Sequence, residues 1–234
     1  VAVHADIDDE GQTVEVKEEP EIGTTALDED TEDHISNADE EVTIIDTIQY
    51  KNLTPKKEYE IRGILMTTDA DGKETPLLVD NQKVERSDTF TPENADGEVK
   101  LSFTFKASAL KGKTIVVFED LYQDGIKVTS HADITDKNQT IYIPKIGTTA
   151  KDKADNNQII APEEDVTIVD TIAYENLIPK KEYEIKGILM TKDADGKETP
   201  LMVDGKTVEN SKPFTPQSAK GLSLIHLGRC RRRG

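Results

Sequence analysis

One stretch of this chain occurs twice. Glu41 to Gly97 returns as Asp165 to Gly221 at a constant offset of 124 residues, so that Asp46 becomes Asp170. About 70% of the paired positions are identical, too many for chance. The short segment IGTTA recurs at the same offset, Ile22 to Ala26 and Ile146 to Ala150. A third echo is fainter. His4-Ala5-Asp6-Ile7 followed by Gln12-Thr13 matches His131-Ala132-Asp133-Ile134 followed by Gln139-Thr140, with equal His-to-Gln spacing.

These echoes divide the chain. Residues 1–20 are the C-terminal strand of a preceding repeat, 21–143 a complete repeat, and 144–221 the N-terminal part of a truncated following one. The remainder, 222–234, reads LSLIHLGRCRRRG from Leu222, ceases to track the first copy and turns basic; it reads as an aberrant tail. Only Thr140 to Gly147 separate Gln139 from Thr148, and so short a connection favours a stiff rod over beads on a flexible string.

Within a repeat the pattern is all-β. Val42 to Tyr50 alternates apolar and polar residues, and Lys57 to Met66 and Val99 to Phe105 are further strands. Asp-Gly turns at Ala70-Asp71-Gly72-Lys73 and Gln123-Asp124-Gly125 predict hairpins. About seven to nine strands in roughly 120 residues point to tandem immunoglobulin-like β-sandwiches. The core must be aliphatic, for there is no Trp, and Cys230 stands alone, so no disulfide framework exists. A net charge of −18 argues against nucleic acid or an anionic membrane as partner. No apolar run of about 18 residues predicts a membrane span.

Several polar side chains fall on faces that are otherwise apolar. Strand side chains alternate, so Asp46 shares a face with Val42, Ile44, Ile48 and Tyr50, and Glu119 with Ile115, Val117 and Leu121. Gln139 opens a β-branched run and shares a face with Ile141 and Ile143; Thr24 shares one with Ile22 and Ala26, while Thr25 points away. His131 lies at a strand end nearby. Burying an unpartnered amide costs roughly 2–7 kcal/mol and a charge more. A hydroxyl, two carboxyls, a carboxamide and a histidine aimed at one core therefore need a chemical reason.

The VVFED run, the HxDIxDxxQT ending and the IGTT opening resemble the ester-bond domains of Gram-positive surface adhesins, stalk repeats named for their Val-Phe-Glu signature. The likeness covers 21–143 and about half of the third copy. It implies an intramolecular ester, formed when a threonine of the first strand attacks the carboxamide of a glutamine in the last and ammonia leaves. Carried over, it makes Thr24 the nucleophile, Gln139 the acceptor, His131 the base, and Asp46 and Glu119 the paired acids. Thr148 and Asp170 form a partial set in the third copy, and His4 and Gln12 a partial set from the preceding one. Strand parity alone favours Thr24 over Thr25. His226 in the tail is out of register and is assigned no role.

The physical logic agrees with the resemblance. A threonine hydroxyl needs an adjacent base, and two carboxyls packed in an apolar site hold one proton between them. Such a reaction is a single turnover of the protein on itself, not enzymatic action on an external substrate, and it calls for neither cofactor nor metal. The resemblance further implies a secreted, extracellular chain at the cell wall or surface. Its partners would be the neighbouring repeats, with a host surface ligand engaged by another part of the parent protein.

Other signals weigh less. Asp69-Ala70-Asp71-Gly72 and its copy Asp193 to Gly196 lack the closing acidic residue of a calcium loop and read as hairpin turns. The acidic run Asp28 to Asp33 reads as a solvated loop, and two glycosylation sequons, Asn52-Leu53-Thr54 and Asn138-Gln139-Thr140, are short patterns. Two alternatives stay open at this point. One is a plain adhesive, ligand-binding module with no cross-link; the other is a hydrolase built on Thr24, His131 and Asp46.

Overall fold

The computed structural model describes residues 18–38, 41–69, 71–160 and 165–231. His4 and Gln12 lie outside the described residues. What is described is built from antiparallel strands and two one-turn 3-10 helices, and among the described residues no helix is long and apolar enough to cross a membrane.

In the complete repeat, β1 (Glu21–Asp28), β2 (Val42–Lys51) and β8 (Gly97–Phe105) form one sheet in the order β1-β2-β8. The second sheet runs through β3 (Tyr59–Thr68) and β9 (Thr114–Gln123) to β10 (Ile126–His131). On β3, the short β4 (Glu74–Pro76) and β7 (Glu85–Phe90) pair with successive halves of the strand. A small ladder of β5 (Leu78–Val79) and β6 (Gln82–Lys83) lies between them in sequence, and β11 (Thr140–Tyr142) pairs with β9.

Alternation explains each long strand. In β2 the odd-even pattern buries Ile44, Asp46, Ile48 and Tyr50 and leaves Thr43, Ile45 and Thr47 partly exposed. In β8, Leu101 and Phe103 are buried while Lys100, Ser102 and Thr104 are exposed. These inner faces are buried together with Tyr59, Ile61 and Leu65 of β3 and Val117 and Leu121 of β9, and Tyr59 and Phe103 are among the largest fully buried side chains, so the core is not purely aliphatic. The sheets approach closely at Gly63, where a Cβ would fall 2.6 Å from Phe103 Cζ and 2.9 Å from Leu101 Cδ1. The β9–β10 hairpin turns on Asp124 (φ 52°) and Gly125 (φ 77°), the two left-handed residues that an Asp-Gly turn supplies. At the β3–β4 turn, Asp69 Oδ1 accepts from the backbone N–H groups of Asp71 and Lys73, which closes a hairpin loop.

The second repeat copies β1 to β8 of the first. β12 (Lys145–Asp152) and β13 (Asp165–Glu175) pair with Thr148 opposite Ile172, as Thr24 lies opposite Ile48. β14 (Tyr183–Ile188) is followed by a β15 (Met190–Lys192)–β16 (Glu198–Pro200) hairpin, and by β17 (Met202–Val203) with β18 (Lys206–Thr207). β19 (Glu209–Phe214) pairs with β14. The stretch read from sequence as an aberrant tail contributes most of β20 (Gly221–Arg231), which pairs along β13 as β8 does along β2. Its own alternation accounts for this: Ser223, Ile225 and Leu227 are buried, while Leu222, Leu224 and His226 are not. Gly187 admits Leu227 as Gly63 admits Phe103, with a Cβ there only 2.7 Å from Leu227 Cδ2.

The chain clusters into two compact units. The first joins the segment ending at Glu29 with Thr43–Thr104 and Val116–Thr140; the second joins Asp30–Val42 and Phe105–Ile115 with everything from Ile141 onward. All five polar residues singled out in the complete repeat belong to the first unit.

Candidate functional site

Four of those five side chains are buried. Asp46 and Gln139 are fully enclosed, Glu119 is 1% exposed and Thr24 8%, while the neighbouring Thr25 faces solvent. Register accounts for the convergence. Ala26 pairs with Asp46 across β1 and β2, and Glu119 pairs with Gly63 on one side and His131 on the other. β1 also packs against β10 and against the turn Lys137–Gln139. Thr24 is thereby set among both acids, the histidine strand and the glutamine.

The contacts are specific. Thr24 Oγ1 donates to Glu119 Oε2 at 3.4 Å, and Gln139 Nε2 donates to Asp46 Oδ1 at 3.3 Å. Asp46 Oδ2 and Glu119 Oε1 are both buried without a hydrogen-bond partner, and two carboxyls enclosed side by side do not both ionise, so one of them carries a proton. Burial is the main cause of a rise in both acids. It lifts Asp46 to about 6, opposed by the adjacent Glu119 carboxyl, the Gln139 hydrogen bond and the nearby His131. It lifts Glu119 to about 11, reinforced by the adjacent Asp46 charge. Glu119 is thus the member that keeps the proton at neutral pH. Gln139 Oε1 is buried with no partner, so this carbonyl has unused acceptor capacity in the middle of the site.

Gln139 differs from its expected setting. It does not open the last strand; it ends a one-turn 3-10 helix, Lys137–Gln139, immediately before β11. The cause is Asp136, whose Oδ1 accepts from Asn138 N and whose carbonyl accepts from Gln139 N and Thr140 Oγ1. Asp136 also binds His131 through Oδ2, at 2.7 Å from Nε2. One residue therefore holds both the histidine ring and the turn that delivers the carboxamide. Sequence reasoning missed it, although the signal was there: Asp136 is the second aspartate of HADITD, three residues before Gln139.

The second repeat holds a partial copy. Asp170 is half-buried, its carboxyl is raised by burial, and its Oδ1 has no partner. Thr148 is exposed. Both line a cavity of about 260 Å³ with Tyr174, Tyr183, Phe214 and Ile225. The acidic run is also not wholly a solvated loop, for Asp28 ends β1 and is buried. Among the described residues no group of three or more acidic, histidine or cysteine side chains is placed to hold a metal ion.

Residues 20–143 and 144–227 each match the family described as "T-Q ester bond containing domain". The chain belongs to that family. Both T-Q repeats are thus recognised, the second through most of β20. No curated protein matches. Two solved structures are similar, both of a bacterial adhesin from Mobiluncus mulieris described as containing intramolecular disulfide, isopeptide and ester bond cross-links. One, in space group P21, is 15% identical with a TM-score of 0.45, covering 86% of this chain and 100% of that one. The other, in space group P1, is 12% identical with a TM-score of 0.44, covering 89% and 98%. The T-Q family is named for a cross-link, not for action on an external substrate.

Proposed function

We propose that the complete T-Q repeat joins Thr24 to Gln139 by an ester formed autocatalytically, and that the chain is a stalk segment of a cell-wall-anchored surface adhesin. The observation that carries the reading is the enclosure of Thr24, Asp46, Glu119 and Gln139 in one site, with Thr24 bonded to one acid and Gln139 to the other.

The Thr24 hydroxyl oxygen attacks Gln139 Cδ while His131 takes the hydroxyl proton. With Nε2 engaged by Asp136, the histidine offers Nδ1 for that transfer. Negative charge develops on the unpartnered Gln139 Oε1, and the proton held by the Asp46–Glu119 pair stabilises it. Collapse expels the amide nitrogen, which leaves as ammonia with the proton taken from Thr24. One C–O bond forms and one C–N bond breaks. Positioning by the folded strands supplies roughly 7–11 kcal/mol of the barrier, and the enclosed core keeps water from the product.

The burial of Thr24 also favours reaction with a neighbour over hydrolysis of an external substrate. Intact mass tests the proposal: the refolded chain is expected to be lighter by one ammonia, and Gln139→Ala to keep full mass. A full-mass wild type would leave an adhesive module without a cross-link.

A further inference from the structure

The seam between the two repeats lies inside the second compact unit, and it is closed by a side chain that no T-Q chemistry uses. Asn176 follows β13 in a left-handed conformation, φ 62°, half-buried. Its Nδ2 donates to the carbonyls of Lys113 (2.6 Å) and Ile143 (3.2 Å), both in the preceding repeat. Its Oδ1 accepts from Thr114 Oγ1 at 3.0 Å. A carboxamide has two N–H donors and one carbonyl, and here each is engaged by the neighbouring repeat.

The two carbonyls are already committed to one another's segments. Gly112 N donates to Ile143 O at 2.9 Å and Ile143 N to Lys113 O at 3.0 Å. Asn176 takes their second lone pairs, so it clamps the outgoing chain exactly where that chain is paired with its own repeat's turn. An ion pair between Lys181 and Asp33 lies across the same seam.

The arrangement recurs. Asn52 occupies the equivalent position after β2, with φ 61°, and its Nδ2 donates at 3.0 Å to the carbonyl of Glu19. Glu19 stands to Asn52 as Ile143 stands to Asn176, three residues before the IGTTA segment in each case. The following leucines, Leu53 and Leu177, are buried and tied by their N–H groups to Ala95 O and Ala219 O, so each turn is fixed from behind. Asparagine suits both demands, since it tolerates positive φ and carries the clamping amide.

We infer that this asparagine is a docking latch: the face after the second strand of each repeat is built to receive the exit chain of another repeat of the same kind and to fix its orientation. The inference deepens the stalk reading and rests on it for its purpose, but not for its geometry. A short linker stiffens the connection without setting the orientation of the repeats; a latch that engages both repeats sets it.

The test uses the full chain with Cys230→Ser, spin labels at Lys100→Cys and Lys206→Cys, and pulsed dipolar distance measurement. Asn176→Gly keeps the left-handed turn and deletes the amide, while Asn176→Asp keeps the shape and puts a carboxylate against two carbonyls. Each is expected to broaden the distance distribution at least about two-fold, as free interdomain motion would, and Asn52→Gly to leave it unchanged. Unaltered widths in both Asn176 variants, or a broad parent distribution, would overturn the latch. Intact mass of the same samples reads the cross-link separately. A full-mass parent with a narrow distribution would sink the ester and spare the latch.

Discussion

His131 Nε2 lies 2.7 Å from Asp136 Oδ2, and the same aspartate caps the turn that ends in Gln139. The pair makes Asp136 a positioning residue with two separable tasks. Asp136→Asn keeps the cap, since an amide oxygen still accepts from Asn138 N, but it weakens the hold on the ring's tautomer. Cross-linking, followed by intact mass after refolding, is expected to slow by on the order of 10²–10⁴. Its pH profile should shift as well. An unchanged rate and profile would leave Asp136 a cap only.

Removing the nucleophile separates bond from fold. Thr24→Ala should keep full mass, whereas Thr25→Ala, on the exposed face, should cross-link as the parent does. The bond closes a loop of 115 residues between positions 24 and 139. By analogy with disulfides its loss is expected to lower stability by about 4–5 kcal/mol, measured by denaturant unfolding.

The acid pair predicts an unusual pH dependence when the bond cannot form. Both carboxyls have folded values above their ordinary ones, so their contribution to stability is complete below about pH 4. It then falls as pH rises, through about 6 for Asp46 and toward about 11 for Glu119. Thr24→Ala is therefore expected to lose stability between pH 4 and 8 relative to Thr24→Ala/Glu119→Gln, which cannot ionise at position 119. Urea midpoints at the two values decide it. A gain with rising pH would contradict the protonated pair.

Close approach of the two sheets gives a packing test away from the chemistry. Gly63→Ala places a Cβ into the Phe103 ring and is expected to cost about 1–3 kcal/mol. Gly187→Ala should do the same against Leu227 in the second repeat. Thermal unfolding of each variant reads the effect.

Strand periodicity made much of this visible beforehand. Asp46 and Glu119 stood out because each interrupts an apolar face of a long strand, and register then brings those faces together. The β-branched run after Gln139 predicts a strand there; the 3-10 turn depends on capping by Asp136, which has no periodic signature in an aspartate-rich loop. β4, β5 and β6 are two or three residues each, too short to alternate, and β7 is polar but for its last residue, so these strands take their form from β3 and one another. In the sequence Asn52 shows only a sequon, since the carbonyl it binds lies 33 residues away.

The position of Gln139 just ahead of β11 has a mechanical corollary. Once it is joined to Thr24, a pull along the chain passes through Glu21–Thr24, the ester and Gln139–Ile143, and no other backbone of the repeat is in series with it. The intervening 114 residues would otherwise release about 400 Å of slack on unravelling. With the bond in place the sandwich hangs beside the tether as ballast, and a three-residue closing strand is long enough.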